Sequence, residues 1–414
     1  MKTFLPAIIC ASFLATAGHA ANLTIATEPL GELLKADIAR FEQQTGNHVT
    51  IVAMPSSSSE QFSQYRLWLA AENSDIDVYE TDVTWPAQLG DKFIDLTDAT
   101  KDVTAQFLPA TLEAQRVGGR LVALPFYADA PALFYRKDLL EKYKKDVPKT
   151  WSELEATAAE IQEKERAAGH ADFWGYVFQA KAFEGLTCNA LEWFKSSGGG
   201  QIVEPDGTVS VNNPQAAAAL DMAAGWVGKI APQGVLTYEE DDTRGIWERG
   251  NALFMRNWAY AYPLGNSGDS AVKGAFDIAP IPAGPGGTSV ATIGGYSLAV
   301  SKFSKNREAA IALVKFLNSP ESQKHRALQA GFMPTLTALY DDPELVKAQP
   351  SMPAWKGLFA HADARPSAPT KAKYNEVSAR VWGAVHNTLS GEGTAAENLE
   401  LLEQDLTELK GQAW

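Results

Sequence analysis

The sequence predicts an α/β protein of more than one domain, and three observations carry that reading. Its 414 residues exceed what one core organises at about 100 to 200 residues per domain. Strand-like alternation and helix-like periodicity follow one another almost throughout, as in folds that pack helices on parallel sheets. No low-complexity linker and no repeat with a period of about 20 to 50 residues interrupts the chain. Two lobes are therefore expected to interleave in sequence and to be joined by several crossings of a short hinge.

At the start of the chain, Lys2 precedes an apolar run from Phe4 to Leu14 broken by Pro6 and Ser12, and Gly18, His19 and Ala20 follow. This reads as a secretory signal peptide over 1–20, cut after Ala20 and too short and interrupted for a membrane span. Cys10 leaves with it, lacking the small residue before it that a lipoprotein site requires. Cys188 then stands alone, so no internal disulfide is expected and the thiol reads as buried packing. Leu23 and Ile25 alternate as a strand, Leu34, Ile38 and Phe41 recur at helical spacing up to Gly46, and Val49, Ile51 and Ala53 resume the alternation. That β-α-β opening is the unit of a doubly wound sheet. Ile76, Val78 and Glu80 to Trp85 read as a third strand running into a loop. Thr150 with Glu153 and Thr394 with Glu397 have capping-box spacing, the first opening a helix to about Ala168 and the second preceding Leu399, Leu402, Leu406 and Leu409.

Composition excludes several functions. With 45% hydrophobic and 21% charged residues the chain is an ordinary globular protein, and 36 basic against 50 acidic residues give −14. Such a surface repels phosphate backbones and anionic headgroups, so no nucleic acid or membrane surface is expected as main partner. The six histidines are scattered singly, and there is no Walker A loop, no G-x-G-x-x-G after a strand and no G-x-S-x-G elbow, so neither a metal nor a cofactor is expected. Gly284 to Gly287, among prolines, reads as a surface loop.

Polar and aromatic residues instead concentrate where predicted strands end, the place ligands occupy in open α/β sheets. These are Thr81 to Trp85, Phe126 to Asp129, Arg256 to Tyr262 and Ile293 to Tyr296. Carboxylates accept paired hydrogen bonds from neighbouring hydroxyls and aromatic faces cover the C–H face of a pyranose, so together they suit a sugar. Gly294 and Gly295 would let backbone approach a ligand. Each residue also has a plainer reading: a lone Trp or Tyr is often core, and Asp82 or Asp129 equally suits a helix cap or a salt bridge.

The segments PFYADAPALFYRKDLLEKY (125–143), TWSEL (150–154), FWGYVFQ (173–179), FEGLTCNALEW (183–193), GNALFMRNWAYAY (250–262) and IGGYSLAVSK (293–302) resemble the extracellular solute-binding proteins of ABC sugar importers, most nearly the trehalose/maltose-binding branch. The resemblance spans nearly the whole chain in order. It implies a two-lobed clamp of the class II periplasmic-binding type with three hinge crossings, its lobes formed by 21–126 plus about 295–335 and by about 127–294 plus about 336–414. It also implies a cleft in which Asp82 holds sugar hydroxyls beside Trp85, Tyr127 and Asp129 supply a ring and a second carboxylate, and Trp258 and Tyr260 stack from the other lobe. Gly294 and Gly295 would offer backbone donors, Tyr296 stands where that branch often has Trp, and Arg365, Glu28 and Ser57 would reach the ligand. The function implied is a monomeric, non-catalytic periplasmic protein that delivers a disaccharide of the trehalose, maltose or sucrose type to permease subunits. Two alternatives are the same role with a modified or acidic sugar or a polyol, and a secreted glycoside hydrolase that uses Asp82 and Asp129.

Overall fold

A computed structural model of the chain describes residues 20–28, 31–55, 57–359 and 362–414. The expected signal peptide, with Cys10, lies outside the described residues except for Ala20. Among the described residues no helix is long and apolar enough to cross a membrane.

The β-α-β opening forms as expected. Strand β1 (Asn22–Thr27) is followed by α1 (Gly31–Thr45), whose Leu34, Ile38 and Phe41 are buried, and Gly46 ends the helix in the left-handed region at φ +73°. Strand β2 (His48–Ala53) pairs parallel with β1, and after α2 (Ser58–Ala70) strand β3 (Val78–Asp82) pairs on the other side of β1. Two strands complete this sheet: β4 (Leu124–Asp129) and, much later in the chain, β9 (Gly294–Val300), which runs antiparallel between β3 and β4. The order is β2-β1-β3-β9-β4.

A second sheet begins one residue after β4, with β5 (Pro131–Arg136). Helix α3 (Trp151–Ala167) opens on the expected capping box, in which Thr150 and Glu153 satisfy each other's backbone N–H. Strand β6 (Trp174–Val177), helices α4 (Glu184–Ser196), α5 (Pro214–Trp226) and α6 (Glu240–Glu248), and strands β7 (Ala252–Trp258) and β8 (Phe276–Ala279) follow. The order here is β8-β5-β7-β6. After β9, α7 (Arg307–Leu317) and α8 (Pro320–Ala330) cover the first sheet. Helices α9 (Tyr374–Ser390) and α10 (Ala395–Ala413) belong to the second lobe, where Val377, Val381, Leu399, Leu402 and Leu406 pack with Trp151, Trp193 and Trp226. The expected capping box at Thr394 and Glu397 opens α10.

Among the described residues the chain passes between the two sheets at Ala130, at Ile293, and by way of 331–359 and 362–366. In the third passage Met333 takes the Ala128 N–H, and Trp355 packs on Phe134 of the second sheet. The first sheet keeps Tyr127 to Asp129 and Gly294, extending past the boundaries expected at 126/127 and 294/295, because these residues pair with one another across β4 and β9.

One buried ion pair joins a helix to a strand in the second lobe. Arg256 of β7 donates from Nη2 and Nε to the two oxygens of Glu192 on α4, at 2.6 and 3.1 Å, with both side chains essentially unexposed. Removing one partner strands the other charge in the interior, so Arg256→Met is expected to lower stability by about 3–5 kcal/mol in urea unfolding.

Candidate ligand site between the lobes

The carboxyl ends of β1 and β3 carry the first group of site residues, where an open sheet presents backbone and side chains to a crevice. Asp82 ends β3, and its Oδ1 accepts the N–H of Thr84 at 2.8 Å and the Thr84 hydroxyl at 2.6 Å, an Asx turn that fixes the carboxylate. Glu28 follows β1, where its Oε1 accepts from Gln61 Nε2 at 3.0 Å. Ser57 precedes α2 with its side chain uninvolved in capping.

Pairing of β9 with β4 sets the next group. Tyr296 lies opposite Tyr127, and the rings stack at 5.4 Å with 30° between planes. Gly294 lies opposite Asp129. From the second lobe, Trp258 ends β7, with its Nε1 donating to Glu240 at 3.3 Å and its ring against the Arg256 guanidinium at 4.4 Å. Tyr260 donates to Asp241 at 3.0 Å, and Asp129 accepts the Ala259 N–H at 3.0 Å, which ties β4 to the loop after β7. Arg365 comes from the third passage.

These groups surround one cavity of about 310 Å³, at the low end of the range for small-molecule sites. The structure brings Glu28, Ser57, Asp82, Tyr127, Asp129, Trp258, Tyr260, Gly294, Gly295, Tyr296 and Arg365 to its wall. Trp85 is the exception, against the expectation that it lies beside the ligand: it is 3% exposed, packed among Phe62, Tyr65 and Tyr296, and backs the wall without reaching the cavity. At the two glycines there is also no room for a side chain. A side chain at Gly294 would meet the Trp258 ring at 2.9 Å, and one at Gly295, where φ is +106°, would meet the Tyr127 carbonyl at 2.4 Å. Their open faces admit an indole and a neighbouring strand.

Sequence reasoning missed Glu184, at the start of α4, and Glu239, Glu240 and Asp241, at the start of α6, all of which line the cavity. Acidic residues in a first turn look like partners of the helix dipole, and that signal hides a second role. Cys188 lines the cavity yet is buried, and burial pushes its thiol up to about 12.

The cavity is acidic. Seven carboxylates line it, and Arg365 is its one cation among the described residues. Desolvation pushes Asp129 up to about 7 and raises Glu240. It also raises Glu28 and, behind the wall, Glu80, whose like charges oppose each other. One Glu80 oxygen accepts from the Thr27 hydroxyl at 2.5 Å and from the Glu28 N–H at 2.7 Å, while the other is buried with no hydrogen-bond partner.

Two α/β lobes that enclose rings and carboxylates at their junction define a ligand clamp of the periplasmic-binding type. The chain belongs to the bacterial extracellular solute-binding protein family, which it matches over residues 26–324. It is 42% identical, over 97% of its length and 96% of the relative's, to a probable ABC transporter-binding protein of Deinococcus radiodurans. It is 23% identical to the galactooligosaccharide-binding protein of Bacillus subtilis, over 75% of this chain and 70% of that one. Among solved structures, maltose-bound MalE3 of T. maritima is 40% identical and superposes with a TM-score of 0.89, covering 94% of this chain and 100% of that one. The GacH receptor of Streptomyces glaucescens shares the fold at 24% identity and a TM-score of 0.83, over 95% and 100% of the two chains.

The raised carboxyls give a pH signature to the ligand-free protein. A carboxyl whose folded pKa lies above its unfolded value binds more protons in the folded state, so its stabilisation is present below the unfolded value and is lost as pH rises through the folded one. Unfolding free energy is therefore expected to fall between about pH 4 and pH 8 and to level off above that. Urea titrations across this window check it, and Asp129→Asn should flatten the slope.

Proposed function

We propose that the protein captures a disaccharide of the maltose or trehalose type between its lobes and delivers it to the permease of an ABC importer. The observation that carries this reading is the two-sided wall. Tyr127, Tyr296 and Asp82 face the cavity from the first sheet, and Trp258, Tyr260 and Glu240 face it from the second lobe. Rings on both sides suit the two faces of a pyranose unit, and buried carboxylates suit its hydroxyls. The kinship with maltose-bound MalE3 and with an ABC transporter-binding protein supports the same reading.

The lobes would close over the sugar because only the closed form contacts both of its faces, so ligand shifts a hinge equilibrium through its extra contacts. Micromolar affinity corresponds to about −8 kcal/mol, within reach of a few desolvated hydrogen bonds and two stacked rings. The protein would act as a monomer in the periplasm after loss of residues 1–20, and no chemical step is assigned to it. Asp82 is held by Arg365 and the Thr84 turn, and Asp129 by the backbone N–H of Ala259, which fits carboxylates fixed for recognition.

Three outcomes follow. Maltose or trehalose at a hundredfold excess over its dissociation constant should stabilise the protein by about 2.7 kcal/mol, read as a rise in Tm. Trp258→Ala should weaken binding by roughly ten- to a thousandfold in calorimetry, as for a buried aromatic anchor; unchanged affinity would remove Trp258 from the site. Incubation with either disaccharide should release no glucose, and turnover would replace the binding role with a hydrolase.

A further inference from the structure

Arg365 carries an inference about which saccharides enter, and it rests on the sugar-binding reading above. The side chain is buried, 4% exposed; both Nη arms of its guanidinium are engaged, and its buried Nε has no hydrogen-bond partner among the described residues. Nη2 donates to the two oxygens of Asp82 at 3.1 and 3.0 Å, and Nη1 donates to Glu184 Oε1 at 2.7 Å. These carboxylates come from opposite lobes, Asp82 from the end of β3 and Glu184 from the first turn of α4. Glu184 is itself fixed, accepting from the hydroxyls of Tyr374 and Ser378 on α9.

The rest of the wall offers an anion nothing in exchange. Arg256, behind the Trp258 ring, is closed off by its paired contact with Glu192. Glu28, Asp129 and Glu240 line the cavity, and their hydrogen bonds come from Gln61, the Ala259 backbone and the Trp258 indole rather than from cations. A sugar hydroxyl donates to such groups and an ammonium neutralises them, whereas a ligand carboxylate or phosphate faces seven wall carboxyls and one guanidinium whose two Nη arms are already taken.

We propose that the cavity selects its saccharide by charge, admitting neutral and basic sugars and turning away uronic acids and sugar phosphates, and that Glu184 enforces this by occupying the arm of Arg365 that would otherwise hold an anion. Glu184 is thus a specificity-determining residue. Its amide analogue keeps the shape and one oxygen to accept from Arg365 and Tyr374, turns the contact with Ser378 into a donation to that hydroxyl, and returns one positive charge to the wall. Specificity of this kind comes from a built-in repulsion as much as from the favoured contacts.

Calorimetry on the full protein tests this with three matched ligands: trehalose, its 2-amino-2-deoxy analogue and its 6-carboxylate, with a parallel set built on maltose. The wild type should bind the neutral and amino sugars within roughly tenfold of each other and the carboxylate at least roughly a hundredfold more weakly. Glu184→Gln should gain roughly tenfold or more for the carboxylate relative to the neutral sugar, a change that a steric block would not produce. Should that variant not fold, Glu240→Gln is an independent reading, since taking one carboxylate off the wall narrows a gap due to like charge and leaves a steric gap unchanged. A carboxylate bound as tightly as the neutral sugar overturns the inference while leaving sugar capture standing, as does an amino sugar rejected as strongly as the carboxylate. A relative gain of less than twofold in a folded Glu184→Gln protein overturns the role given to Glu184. Binding of neither parent disaccharide overturns the sugar reading and this inference with it.

Discussion

The site depends on one backbone constraint, the insertion of β9 antiparallel between β3 and β4. Its ladder places Tyr296 beside Asp82 on one side and beside Tyr127 on the other, and places Gly294 beside Asp129. Two rings and two carboxylates are thereby fixed by backbone hydrogen bonds before any ligand arrives. Only glycine can hold the neighbouring position, because Gly295 combines a positive φ with a 2.4 Å approach of its missing Cβ to the Tyr127 carbonyl. The register shift between Tyr296 and Ser297 lies in the same stretch, as bulges often do next to functional sites. Ile293, immediately before the strand, is one of the three passages between sheets, so the ladder that builds the wall also anchors the hinge.

Charge is the second constraint, and it explains why Arg256, Arg326 and Arg365 are buried in a protein with a net charge of −14. A carboxylate taken out of water needs donors or a cation, or it takes up a proton. Glu192 and Arg256 pair bidentately and fix α4 against β7, so the first turn of α4, with Glu184, is delivered to the cavity by a contact two turns away. Glu80 has no such partner. Its neighbour Arg326 donates instead to Asp37 and to the Phe126 carbonyl, and burial leaves Glu80 with a raised pKa and one bare oxygen.

Much of this was legible in the sequence, and the parts that were not share a physical reason. Local signals held: the two capping boxes, the glycine stop at 46 and the apolar spacing of α1 are set by residues within a turn of one another. The cavity wall was legible as strand-end clusters of rings and carboxylates because a parallel sheet presents its strand ends to the ligand. Trp85 shows the limit. It lies three residues after Asp82, yet the turn made by Asp82 and Thr84 directs it into the core behind Tyr296, and only the fold around the turn reveals this. Glu184 and Glu240 were hidden because acidic residues at helix starts have a sufficient local explanation. The partnership of Arg365 with Asp82 and Glu184 spans separations of 283 and 181 residues, which no periodicity encodes.

The same long-range contacts bear on how the clamp works. Arg365 links Asp82 of the first lobe to Glu184 of the second, and beside it Gln88 and Asn375 exchange hydrogen bonds of 2.8 and 3.2 Å between the first lobe and α9. The enclosed arrangement therefore has its own protein-to-protein contacts. A ligand then has to supply only the remaining difference between open and closed forms, because it shifts the equilibrium by its differential affinity and by nothing else. A molecule touching one lobe alone has no such difference to offer. On the proposed capture of a sugar, that requirement would account for the division of the wall, with Tyr127 and Tyr296 on one sheet and Trp258 and Tyr260 on the other lobe: an aromatic anchor on each side would make closure conditional on a ligand that meets both.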